Sequence, residues 1–143
     1  MKPDQPPPAV VARAEVSRVL SEAKLIETNR DETKKYYKPQ VPDPRFPPEN
    51  PWAEVNFLVI TQPADASRDF RLTWMSFEGS CRTKRVSAIH GTGMQRETDK
   101  RGFPYMVSFS ADETPFTPER GSAEGRALRL ACAARSNAQS TAD

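Results

Sequence analysis

A chain of 143 residues with a net charge of +2, 36% hydrophobic residues and 14 prolines has room for one domain with a modest core beside much extended chain. The charge is too mild to define a nucleic-acid binder by itself, and two cysteines without a CxxC pair exclude a disulfide framework and a cysteine zinc site. No apolar run approaches the roughly 18 residues of a membrane span, and the opening "MKPDQPPPAV" lacks the apolar stretch of a secretory signal. The expected setting is therefore soluble and cytoplasmic, with Cys81 and Cys132 as reduced thiols; a single bond between them is the alternative.

Residues 1–8 read as a polar, proline-rich disordered tail. An amphipathic helix is expected over residues 9–28. Ala9, Ala12, Val16, Val19, Leu20, Ala23 and Ile26 recur at steps of three and four, with Arg13, Ser17, Ser21 and Lys24 off that stripe. Asn29 suits the helix end.

Residues 29–53 form a proline-rich arm. Six prolines between Pro39 and Pro51 block helix and forbid a central strand. What remains is polyproline-like chain, which over residues 39–51 reaches about 40 Å at roughly 3.1 Å per residue. Tyr36 and Tyr37 lie among lysines in "KKYYK", and Phe46 and Trp52 are spaced to anchor the arm on a surface.

Residues 54–135 read as a small α+β domain. Four strands are expected. "EVNFLVITQ" is apolar on both faces, as a central strand would be; "RDFRLTWMSFEG" and "TKRVSAIH" follow, joined by a turn at Gly79. "GFPYMVSFSA" alternates best, with Phe103, Tyr105, Val107 and Phe109 on one side and Pro104 near its start or marking an edge. "GTGMQRETDKRG", residues 91–102, reads as a polar loop. A last helix is signalled at Thr117-Pro118-Glu119, or from Ser122 if Gly121 and Gly125 weaken its start. Its stripe of Ala123, Ala127, Leu130, Ala131 and Ala134 allows close approach to a sheet. Residues 136–143 read as a disordered tail. The fold class is α+β: an N-terminal amphipathic helix, a proline-rich extended arm, an antiparallel sheet of about four strands, and a C-terminal helix packed on one face.

His90, the only histidine, invites a catalytic reading that its context does not support. His-Gly-Thr-Gly has no G-x-S-x-G partner. If residues 82–89 run straight, Cys81 and His90 stand about 30 Å apart at roughly 3.3 Å per residue, too far for a nucleophile–base pair. Glu97 and Asp99 lack metal-ligand spacing, and Gly91-x-Gly93 completes no phosphate loop. Asp65, Asp69, Asp112 and Glu113 read as solvated turn acids. His90 is expected to end a strand at a turn where Gly91 and Gly93 adopt positive φ. No catalytic residue, metal ligand or cofactor is assigned.

The leading functional expectation is a non-catalytic protein-interaction module, a small subunit or adaptor that grips a protein partner with its N-terminal helix and arm through Tyr36, Tyr37, Phe46 and Trp52. Extended chain of this kind loses little entropy on docking. The alternative is a single-stranded nucleic-acid binder. It would use the basic segment 82–102 (Arg82, Lys84, Arg85, Arg96, Lys100 and Arg101) for phosphates and Trp74, Phe77, Tyr105, Tyr36 or Tyr37 for base stacking. "RTKRVS" also resembles a basophilic kinase site at Ser87, one that a strand would make poorly accessible.

Overall fold

A computed structural model describes residues 6–40, 45–64 and 69–142. The first residues of the tail, residues 41–44 of the arm and Asp65 lie outside the described residues. Helix α1 (Pro8–Leu20) leads into six strands, β1 (Lys24–Thr28), β2 (Lys34–Pro39), β3 (Val55–Gln62), β4 (Phe70–Gly79), β5 (Val86–Thr98) and β6 (Pro104–Ser110), and helix α2 (Ala123–Ala142) closes the chain. The sheet is an antiparallel meander in the order β1-β2-β3-β4-β5-β6. The fold is α+β with two helices, as the sequence indicates, but the sheet has six strands instead of about four.

The two unexpected strands come from stretches read as helix and arm. Ala23 and Ile26 fit the stripe of α1, but the chain leaves the helix at Ser21, and Glu22 takes a φ of 65°. Residues 24–28 then pair with residues 34–37 as a hairpin. In β2 the successive tyrosines point to opposite faces, as pleating requires. Pro39 is the last residue of β2, so the first part of the expected arm is strand.

Pleating also divides the core. On one face Tyr37, Phe57, Val59, Phe77 and Val86 pack with Ala123, Ala127, Leu128 and Ala131 of α2. On the other Ile60, Leu72 and Met94 pack with Val16, Val19 and Leu20 of α1, beside Tyr36, Leu58 and Trp74. Phe57 and Ile60 are completely buried neighbours-but-two, one serving each layer. Their burial stabilises the fold by about 2 kcal/mol each. The alanine stripe lets α2 lie close on β1–β3. Lys38 ties the α1 layer in place: its Nζ donates to the Val19 carbonyl at 2.8 Å, supplying a cation at the helix C-terminus.

Three further expectations are revised. Strand β5 does not stop at His90 but continues to Thr98, so residues 91–98 are sheet and not loop. Neither Gly91 nor Gly93 has positive φ; the only glycine that does is Gly102, at 96°, in the β5–β6 turn against the Pro8 backbone. Helix α2 starts not at Thr117 but at the alternative start, with Ser122 capping it: its Oγ accepts the Gly125 N–H at 3.1 Å, while Phe116 is held away by a bridge to Val86. Its backbone runs on to Ala142, past the expected end at residue 135.

The cysteines are bonded, not free. Cys81 in the β4–β5 turn joins Cys132 on α2 with Cα atoms 5.7 Å apart, across a sequence separation of 51 residues. Sequence spacing could not reveal that α2 returns over this turn. Closing a loop of that size removes about 4 kcal/mol of unfolded-state entropy in the chain-entropy account. Cys132→Ser, or reduction under native conditions, should lower ΔG of unfolding by a few kcal/mol, measured by urea denaturation with and without reductant.

Candidate functional site

The outermost strand carries the most unusual surface. Among the described residues β6 pairs with β5 on one side and has no neighbouring strand on the other. Tyr105 and Met106 are 47% and 46% exposed, and Phe103 and Phe109 are close behind. From Gly102 to Ala111 no residue is charged. The opposite edge differs: β1 exposes Leu25 but also carries Lys24 and Glu27. Charges on an edge discourage pairing with another chain, and β6 has none.

The stripe Tyr105, Val107 and Phe109 alternates as a core stripe should, yet its two rings are exposed. They lie outside because α2 packs on β1–β3 and stops short of β6. The uncovered part of that face is a groove of about 340 Å³ bounded by Val59, Thr73, Met75, Gly91, Phe109 and Glu124. Its floor depends on glycine. A Cβ at Gly93 would come within 2.6 Å of the Phe70 ring and 2.8 Å of the Phe109 ring, which meet edge to face at 5.6 Å. Pro104 was the one sequence signal for an edge.

The residues expected to bind a protein partner do not form one surface. Tyr37 is buried beside Phe57, and burial raises its phenol pKa. Tyr36 faces the α1 layer, with its hydroxyl donating to Gln62 Oε1 at 3.0 Å. Both tyrosines are engaged within the domain. Phe46 stands in the arm, 73% exposed, and Trp52 is half-buried. The arm is held to its own sheet by buried Glu78, whose carboxylate accepts the backbone N–H groups of Glu49 and Asn50, both at 2.8 Å. Glu49 is linked in turn to Glu113 by a carboxyl hydrogen bond, which holds its pKa above the ordinary range.

The basic residues fall into two groups. Arg82, Lys84 and Arg85 occupy the β4–β5 turn and the approach to β5, whereas Arg96 lies near the far end of β5 and Lys100 and Arg101 lie in the next turn. The strand between Arg85 and Arg96 spans roughly 35 Å. Arg101 is already engaged with Asp99 at 3.3 Å and lies over the Phe103 ring. Trp74 and Phe77 pack against opposite core layers, and of the rings considered for base stacking only Tyr105 is exposed.

His90 is exposed in mid-strand opposite Ser76 and Ser110. Cys81 is bound to Cys132, so it is not a free nucleophile. Among the described residues no group of three His, Cys, Asp or Glu side chains is arranged to hold a metal ion. Ser87 is fully buried, its hydroxyl donating to the Glu113 carbonyl, and so is shielded from a kinase.

Around the disulfide a polar cluster completes the corner. Glu54 accepts the Ser80 hydroxyl at 2.9 Å, the Arg82 N–H at 3.3 Å and Arg135 Nη1 at 2.7 Å. The Ser80 hydrogen bond, followed by the Arg82 N–H, lowers its pKa; desolvation opposes them, and Arg135 adds a weaker lowering.

No protein-family model, curated protein or solved structure matches this chain.

Two predictions follow from this geometry. Gly93→Val should destabilise the fold by about 1–3 kcal/mol through displacement of Phe70 and Phe109, read as a lower urea midpoint. The depressed pKa of Glu54 stabilises the charged form. That contribution is full above the ordinary glutamate value of 4.5 and is lost as pH falls through the folded pKa below it. Glu54→Gln should therefore flatten the acid limb of a Tm–pH curve. Glu49 acts with the opposite sign: its contribution is full below 4.5 and is lost as pH rises above it.

Proposed function

We propose that this chain is a non-catalytic protein-interaction module that engages its partner through the edge and aromatic stripe of β6. The observation that carries the reading is an uncharged edge strand with four large apolar side chains exposed in one short segment. Unpaired N–H and C=O groups supply affinity in strand addition, and alternate side chains supply selectivity. The elements first expected to grip the partner are used internally: α1 covers the sheet and the arm is tethered to Glu78. Exposed Phe46 is an accessory contact on this reading. Single-stranded nucleic-acid binding has less support, because its six basic residues are split between the two ends of β5.

Among the described residues no helix is long and apolar enough to cross a membrane. The bond between Cys81 and Cys132 supports work in an oxidising compartment in preference to the cytosol expected from sequence.

A photo-reactive phenylalanine analogue at position 105 tests the interaction reading in cells that express the chain. Irradiation should give covalent polypeptide adducts from position 105 and none from position 18, on the solvent side of α1. Absence of adducts at 105 would remove the basis for β6 as an interaction edge.

A further inference from the structure

The pattern of β6 narrows the partner, given the reading of that strand as an interaction edge. The geometry points to a second copy of this chain, its β6 laid antiparallel against the first about a two-fold axis at Val107.

The strand is self-complementary in that arrangement. Residues pair when their numbers are equidistant from Val107, so Tyr105 of each copy faces Phe109 of the other, and the two valines meet at the axis. Directly opposed aromatic pairs are favoured cross-strand neighbours. On the reverse face Met106 meets Ser108. Pro104, which has no N–H to give, falls at the strand end, where its loss is least.

Charge selects the same orientation. β6 is entered from a turn carrying Lys100 and Arg101 beside a single acid, Asp99, and so net basic, and is left through Asp112 and Glu113. An antiparallel pair sets the basic entrance of one copy beside the acidic exit of the other, twice. A parallel pair would set like beside like at both ends. The pairing also joins two uncovered half-faces, each floored by Gly91 and Gly93, into one apolar surface between two α2 helices. The charged β1 edge stays free, so the contact closes at two copies and does not propagate.

Sedimentation equilibrium of the purified, oxidised chain should show a monomer–dimer equilibrium with a dissociation constant on the order of 10 µM, since a seven-residue strand contact lies at the small end of stable interfaces. Val107→Lys places two ammonium groups together at the axis and should weaken the dimer at least about tenfold, with the circular dichroism of the monomer unchanged. Val107→Cys should form an intermolecular disulfide under mild oxidation, whereas Arg18→Cys on α1 should not. A monomer throughout the range from about 1 to about 200 µM, or Val107→Cys linking no faster than Arg18→Cys, would overturn the proposal. The photo-adduct separates the two levels: an adduct at twice the chain mass supports self-pairing, and an adduct to a different polypeptide overturns it while leaving β6 an interaction edge.

Discussion

A six-stranded sheet is wider than a helix. At about 4.8 Å per strand the meander is roughly 24 Å across, while a helix with its side chains is about 10–12 Å in diameter. One helix per face therefore leaves strands uncovered on each. Here α2 lies over β1–β3, and α1 covers the other face around Ile60, Leu72 and Met94. The uncovered strip falls at β6 on both faces. Exposure of Tyr105, Met106 and Phe109 is thus a consequence of layer width, not of an irregularity in β6 itself.

The rest of the molecule stiffens this incomplete sandwich. Lys38 ties the end of α1 to the sheet, Glu78 gathers the arm, and the Cys81–Cys132 bond with Glu54 and Arg135 fixes α2 over the β4–β5 turn. Each device sits at the margin of a layer, where apolar contact is thinnest. Glycine works to the same end within the sheet, giving the Phe70 and Phe109 rings a floor they can pack upon. A rigid sheet presents its outer strand in one conformation, which lowers the entropic cost of engaging it.

Long apolar alternations were the legible part of the sequence. β3 and β4 announce themselves through Phe57, Leu58, Val59 and Ile60 and through Leu72 and Trp74, and the alanine stripe of α2 is visible as a close-packing face. β1 and β2 are hidden, because Lys24, Glu27, Lys34 and Lys35 dilute their apolar residues and Ala23 and Ile26 fit a helical period as well. Gly91 and Gly93 resemble turn residues; their role beneath two rings exists only once Phe70 and Phe109 converge from distant parts of the chain. Most of the candidate surface lay in plain view as Phe103, Tyr105, Val107 and Phe109, yet an inward stripe and an uncovered one have the same alternation. Only the reach of α2 distinguishes them.

The covalent link has a topological consequence. Cys81 and Cys132 enclose β5, β6 and the first half of α2 in a single closed loop. A protease that nicks the exposed chain anywhere inside that circuit yields two polypeptides still tethered through sulfur, and the outer strand stays attached to its scaffold. The aromatic edge is thereby retained after damage that would detach it from an unbridged chain.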